Sequence, residues 1–117
     1  MIEDKDLKCS ILPLSPEDIA YSGQSTKHRF EIVSPGFNMD TDDWEGILAI
    51  ASGQSVSLSN DDVVKDSEGN HYLCVTSEES WIGKSTLKIT ARVPDEAFNN
   101  GVRIEKFKIP FVTYVKL

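Results

Sequence analysis

Residues 81–86 read Trp-Ile-Gly-Lys-Ser-Thr and end in the Gly-Lys-Ser/Thr element of a nucleotide-binding P-loop. A P-loop also needs a glycine five positions before the Gly-Lys pair and a helix after it, because the phosphate binds backbone N–H groups at that helix's N-terminus. Here Glu78 occupies the position of the first glycine, and Glu79 adds a second negative charge beside it. Thr86 begins an alternating strand pattern. The segment is therefore predicted to be a turn that leads into a strand, and no nucleotide or other cofactor is expected.

The loop of residues 38–43, Asn-Met-Asp-Thr-Asp-Asp, concentrates the oxygen ligands that calcium prefers. An EF-hand aligned on this loop fails, because Asp43 stands at the required glycine and Ala49 at the required bidentate glutamate. A looser calcium site built from Asp40, Asp42 and Asp43 and a solvated surface loop both stay open. No metal site is predicted.

Nucleophilic catalysis needs a nucleophile, a base and a group that orients the base. The two histidines differ in setting: His28 lies on the apolar face of a strand pattern, and His71 begins a strand beside a turn. Cys74 lies among alternating strand residues, with no helix N-terminus to lower its pKa. Cys9 and Cys74 lack zinc-ligand spacing, and they are interpreted as buried thiols, with pairing in an oxidising compartment left open. Enzymatic activity is not predicted.

The aromatic side chains raise a binding hypothesis, because flat rings on a rigid sheet can stack on sugars. Trp44 and Trp81 are the candidate ligand-contact residues, and Trp81 is the residue of its segment that could still carry function. The favoured interpretation is that Trp44 and Tyr72 fill the core while Trp81 anchors a turn. Glycan binding is therefore kept as the alternative function.

The composition fits one ordinary globular domain spanning residues 1–117. A net charge of −7 opposes binding to nucleic acid. Lys84, Lys88 and Arg92 are expected to form a row along one solvated strand face. No segment reaches the roughly 20 apolar residues of a membrane span, and the polar N-terminus does not resemble a signal peptide. The chain is thus expected to be intracellular at synthesis, and secreted only if a leader preceded Met1.

Hydrophobic residues alternate with a period of two, and turn signals separate the alternating runs. This pattern predicts an all-β sandwich of about seven to eight strands with one or two short helical turns, at residues 15–18 and 94–98. Residues 66–70, Asp-Ser-Glu-Gly-Asn, are predicted to be the turn of a β-hairpin. The predicted strands are residues 8–14, 27–32, 44–51, 54–58, 62–65, 71–76, 87–93 and 102–117.

The last run is too long for one regular strand, because Ile104 and Phe107 fall on opposite faces if the period never slips. A β-bulge near Lys106 or a break at Pro110 is expected. Phe98 is expected to close one end of the core. The predicted core contains Phe30, Ile32, Leu48, Ile50, Leu73, Val75, Leu87, Ile89, Phe98, Phe107 and Ile109.

The order of features from residue 60 onward resembles small immunoglobulin-like β-sandwich modules of prophage tail-fibre and baseplate-associated proteins from Bacteroides-type bacteria. The matching features are a hairpin, the glycine strand of residues 83–88, Val-Pro-Asp at 93–95, Phe98 and the Gly101 turn before the last strand. The resemblance covers about half of the chain, and the residues that carry it are structural.

This resemblance implies an immunoglobulin-like sandwich of two antiparallel sheets with a non-enzymatic structural or adaptor role in a virion tail. Such modules act through protein–protein contacts, as oligomers or as one domain of a longer protein, so the implied partners are other structural proteins or further copies of this chain. The implied location is the bacterial cytoplasm followed by assembly into a virion tail.

Overall fold

A computed structural model describes residues 19–117 and shows an all-β protein. The predicted strand at residues 8–14, the turn at residues 15–18 and Cys9 lie outside the described residues. Within the described part, one 3-10 turn, Asn60–Asp62, follows the fourth strand. The strands are β1 (Ile19–Tyr21), β2 (Ser25–Arg29), β3 (Trp44–Ile50), β4 (Ser55–Ser59), β5 (Val63–Lys65), β6 (His71–Thr76), β7 (Gly83–Pro94) and β8 (Val102–Val115).

The strands form a five-stranded sheet with the order β1-β8-β7-β3-β4 and a three-stranded sheet with the order β2-β6-β5. In a seven-stranded immunoglobulin sandwich the third strand and the last two strands share one sheet, and the second strand belongs to the other; β3, β7 and β8 share one sheet here, and β2 lies in the other. The predicted immunoglobulin-like class therefore agrees with the strand order. One pairing departs from the expected antiparallel sheets, since β1 pairs parallel to β8. The chain passes from β1 in one sheet to β2 in the other, so no hairpin forces β1 to be antiparallel.

The hydrophobic core lies between the sheets and follows the strand alternation. Eight of the predicted core residues, from Phe30 to Ile89, are buried, and Phe107 and Ile109 pack against the core while partly exposed. The prediction for Phe98 is wrong: this side chain is 48% exposed, because it lies in a hydrogen-bonded turn whose residues 96–101 are all exposed. The ring of Trp44 packs on Phe30, with 4.8 Å between the ring centroids. In antibody domains the tryptophan of the third strand packs on a disulfide between the sheets; here it packs on an aromatic ring.

The expected irregularity of the last strand is present but displaced. β8 runs unbroken through Pro110, and the β-bulge lies at the next two residues, Phe111 and Val112, which together face Ser85 of β7. Ile104 points outward and Phe107 inward, so the strand alternates regularly around Lys106, and the bulge predicted there is absent. The bulge turns both Phe111 and Val112 into the core. The Ser85 hydroxyl donates a hydrogen bond of 2.6 Å to the Val112 carbonyl, which the bulge removes from the regular ladder.

Arg103 is a buried cation at the end of the sandwich where β7 turns into β8. Its guanidinium bonds the carboxylates of Asp95, at 2.6 Å, and Glu105, at 2.7 Å. It also donates to the Ser34 hydroxyl and the Pro35 carbonyl. Burial by itself lowers the pKa of Arg103, but the hydrogen bonds that it donates to Asp95 and Glu105 outweigh this effect and raise that pKa. The arginine therefore ties the loop after β2 to the β7–β8 turn.

Candidate functional site

The Gly-Lys-Ser/Thr segment does not form a phosphate cradle. Gly83 adopts a φ of +101°, and β7 continues from it as a strand of twelve residues. The helix N-terminus on which a P-loop depends is thus replaced by a sheet. A Cβ atom at position 83 would lie 2.9 Å from the Cβ of Ala51, so glycine also allows the close approach of β7 to the turn after β3.

Trp44 and Trp81 are both 3% exposed and belong to the core. Trp81 packs edge-on against Tyr114, with 5.3 Å between the ring centroids, and Trp44 packs on Phe30. Neither indole presents a face to solvent, so ligand contact at either residue stays a prediction that would require the core to open. Tyr72, expected in the core, instead lies half-buried on the outer face of the smaller sheet, below the cations of Lys27 and Arg29.

The acidic loop directs its carboxylates to separate partners. Asp40 pairs with His71 at 3.1 Å and with Lys65 at 3.2 Å, and these hydrogen bonds lower the pKa of Asp40. Asp42 instead accepts the backbone N–H of Asn38. In the part of the chain that the structure describes, no three His, Cys, Asp or Glu side chains converge as metal ligands would. The loop geometry is explained by turn closure and by attachment to β5 and β6.

The remaining predicted chemistry residues are dispersed. His28 lies edge-on to Phe111 at 4.8 Å and shares a hydrogen bond with Thr26 on its own strand. Cys74 is a free, half-buried thiol on β6. These residues and His71 therefore belong to separate contacts, and the structure does not assemble them into one catalytic group.

A groove of about 690 Å³ lies on the outer face of the five-stranded sheet, and we name it the outer groove. It crosses β4, β3, β7 and β8, and none of its lining residues belongs to the smaller sheet. Four strands spaced about 4.8 Å apart give it a length of about 14 Å. On β4 it is lined by the hydroxyls of Ser57 and Ser59, and on β3 by Glu45 and Ile47. Ile47 is 48% exposed, which makes it the apolar contact of this half.

The other half of the outer groove is cationic. Lys88, Lys106 and Lys108 are exposed and line it on β7 and β8. Lys88 and Lys108 are directly opposite each other in the ladder, and Lys106 faces Thr90 two pairs further along, on the same face of the sheet. Within residues 19–117, no ion pair joins any of these three lysines to a carboxylate, whereas Glu45 is held by Arg92 at 3.0 Å.

The sequence predicted part of this site. The row of Lys84, Lys88 and Arg92 lies on the outward face of β7, as alternation indicated. Lys106 and Lys108 were missed as partners of that row, because only the β7–β8 register places them beside Lys88. Their alternation with Phe107 and Ile109 was the available signal that both point outward.

Among the strands that the structure describes, β4 is one of the two edges of the five-stranded sheet, and its sequence is Ser-Val-Ser-Leu-Ser. The Ile50 N–H donates to the Gln54 carbonyl at 2.9 Å, so this pair is a bonded pair of the β3–β4 ladder. Bonded and non-bonded pairs alternate along antiparallel strands. The even-numbered residues of β4 therefore bond to β3, whereas Ser55 and Ser57 direct their backbone N–H and C=O groups away from the sheet.

Comparisons with known proteins supply no relative: no protein-family model matches the chain, and neither do curated proteins or solved structures. Residues 19–117 contain no helix with the length and apolar character required to cross a membrane.

Proposed function

We propose that this protein is a non-enzymatic structural or adaptor module that binds other protein chains, or further copies of itself, by adding a strand to β4. The observation that carries the proposal is the uncharged edge of β4. Exposed strand edges are usually guarded by charged residues, proline or bulges, because unpaired N–H and C=O groups can pair with another chain. Added strands gain affinity from main-chain hydrogen bonds.

The other edges differ from β4. The edge strand β2 carries Lys27 and Arg29, and β5 ends at Lys65. Strand β1 is uncharged but has three residues, against five in β4. β4 thus combines length with the absence of a guard residue.

A role in a phage or prophage tail, as a baseplate or tail-fibre component, extends this proposal. It is supported by the sequence resemblance over residues 60–117 alone. The neighbouring genes would distinguish the virion role from glycan binding. Tail-assembly genes would support the virion role, and a polysaccharide-utilisation cluster would point to glycan binding. The alternative of glycan stacking on Trp44 and Trp81 gains no support from their 3% exposure.

The edge hypothesis is tested by Ser55→Pro. Proline removes the outward N–H without removing a β3–β4 hydrogen bond. Light scattering from about 1 µM to 1 mM should show concentration-dependent assembly of the unchanged protein and a shift of the Ser55→Pro variant toward monomer.

The matched control is Ser55→Ala, which keeps the N–H and should assemble like the unchanged protein. Ser55 lies outside the outer groove, so the variant leaves that surface intact. A strict monomer at 1 mM would rule out self-assembly through β4, and equal assembly of all three proteins would show that β4 is not the contact.

A further inference from the structure

We propose that the outer groove is a binding site for an acidic oligosaccharide, with its carboxylate or sulfate groups on Lys88, Lys106 and Lys108. The inference does not depend on strand addition at β4. The groove volume of about 690 Å³ lies within the roughly 300–1,000 Å³ typical of small-ligand sites.

The arrangement of charge supports an anionic ligand. Like charges placed directly opposite each other across a sheet destabilise it, as Lys88 and Lys108 are here. Lys106 adds a third cation, and no carboxylate within the described residues pairs with any of the three. A chain with a net charge of −7 thus concentrates three lysines in the outer groove. A bound anion would relieve this repulsion.

The nearest acid does not cancel the cationic end. Glu45 lines the groove on β3, but Arg92 holds its carboxylate at 3.0 Å. The charge of Glu45 is therefore partly neutralised by Arg92. An anionic group bound at the β7–β8 end of the outer groove would therefore contact mainly Lys88, Lys106 and Lys108.

The β3–β4 half of the groove matches a saccharide. The hydroxyl groups of Ser57 on β4 and Thr90 on the adjoining β7 can both donate and accept hydrogen bonds, as sugar hydroxyls require. The Ser59 hydroxyl accepts the Asp61 N–H and can still donate. Ile47 provides an exposed apolar surface on which the C–H face of a sugar ring can rest. Hydroxyls at one end and cations at the other fit a chain of sugars that carries acidic groups.

Two other acidic polymers fit the groove less well. A peptide lying across the strands would find the backbone groups of β3 and β7 already paired within the sheet, and its own amides would lack partners. Single-stranded nucleic acid is held mainly by stacking on exposed aromatic rings. The one aromatic residue of the groove lining, Phe107, directs its ring toward the core.

The test is calorimetric titration of the whole chain with two acidic tetrasaccharides, one carboxylated (tetragalacturonate) and one sulfated (a heparin tetrasaccharide). At least one should bind, and the stronger of the two identifies the preferred anion. Lys88→Gln and Lys108→Gln should each weaken binding about tenfold, as expected for loss of a charge-assisted hydrogen bond. Both variants should be at least as resistant to urea as the unchanged protein, because each removes a like-charge contact.

The matched control is Lys84→Gln, which removes the same charge from the same face of β7 at a position outside the groove. It should change the affinity less than twofold. The proposal fails if neither tetrasaccharide binds, or if Lys84→Gln weakens binding as much as Lys88→Gln. It also fails if tetraglutamate or a tetranucleotide binds as tightly as the better saccharide. These substitutions do not touch Ser55, so either proposal can fail while the other stands.

Discussion

Two buried polar groups of the core lack a hydrogen-bond partner within residues 19–117. They are the Tyr114 hydroxyl and the indole N–H of Trp44. Such groups lose their hydrogen bonds to water on folding and gain nothing in return. Burial also raises the pKa of Tyr114 to about 12. Both residues are retained at an energetic cost, which their large packing surfaces offset.

Tyr114→Phe should leave the packing against Trp81 intact and remove the unsatisfied hydroxyl. We expect the free energy of unfolding to stay constant or to rise by about 1 kcal/mol. Urea denaturation at pH 7 measures the change. A loss of more than about 1 kcal/mol would mean that the hydroxyl makes a stabilising bond.

The same variant has a signature in alkali. The tyrosine pKa is higher in the folded protein than the ordinary value of 10, so the unfolded chain releases its proton first. Stability should therefore fall as the pH rises from about 10 to 12, and Tyr114→Phe should lack this part of the decline. Identical alkaline profiles for the two proteins would contradict the burial of the hydroxyl.

Arg103 is the residue whose removal should cost most. Arg103→Met keeps much of the buried side-chain volume but removes the guanidinium that bonds Asp95, Glu105 and the Pro35 carbonyl. Breaking a buried ion pair by removing one partner costs about 3–5 kcal/mol. We expect the free energy of unfolding, measured by urea denaturation, to fall by about 3 kcal/mol. This is the lower end of the range, because both carboxylates keep some access to water.

An acid titration of stability separates the ion pairs from simple packing. Hydrogen bonds from the Ala97 N–H and from Arg103 lower the pKa of Asp95 in the folded protein. Ionised Asp95 therefore stabilises the folded state fully above the unfolded pKa of about 3.9. This stabilisation is lost as the pH falls through the lower pKa of the folded state. The deficit of Arg103→Met relative to the unchanged protein should shrink below about pH 4. Arg92→Met, at an exposed ion pair, serves as the control and should cost less than about 1 kcal/mol.

At the scale of the elements, the bulge in β8 depends on one side chain from β7. Ser85→Ala leaves the buried Val112 carbonyl without its 2.6 Å donor, and an unsatisfied buried acceptor costs about 1–3 kcal/mol. We expect a loss of stability in that range by thermal or urea denaturation. Ser85→Thr keeps a hydroxyl and should therefore lose less stability than Ser85→Ala. Equal losses in both variants would indicate that crowding, and not the missing hydrogen bond, lowers the stability.

Most element boundaries were predictable, and the exceptions have local reasons. Alternation located β3, β4, β6 and β7 within a few residues, because one face of each strand is buried and the other is solvated. β1 was missed, because three residues do not display a period. Phe98 was placed in the core on hydrophobicity alone, and the turn that carries it projects into solvent. The bulge was expected from strand length, but its position depends on which residues Ser85 can reach.

At the scale of the whole molecule, the distribution of charge differs from its total. The net charge of −7 predicts repulsion of polyanions, and the outer groove nevertheless gathers three lysines from two strands. Acidic residues are grouped elsewhere, in the loop of residues 38–43 and around the 3-10 turn Asn60–Asp62. The molecule therefore presents surfaces of opposite sign, which the net charge conceals.

The sequence by itself determined the all-β class, the single buried face of each longer strand and the rejection of a P-loop. These properties depend on residue types at short separations, where backbone geometry fixes which side chains share a face. The tertiary structure decided the parallel pairing of β1, the exposure of β4 as an edge and the meeting of Lys88 with Lys106 and Lys108. Each of these depends on register between distant strands, which is set by the packing of two whole sheets and is not encoded in any short segment.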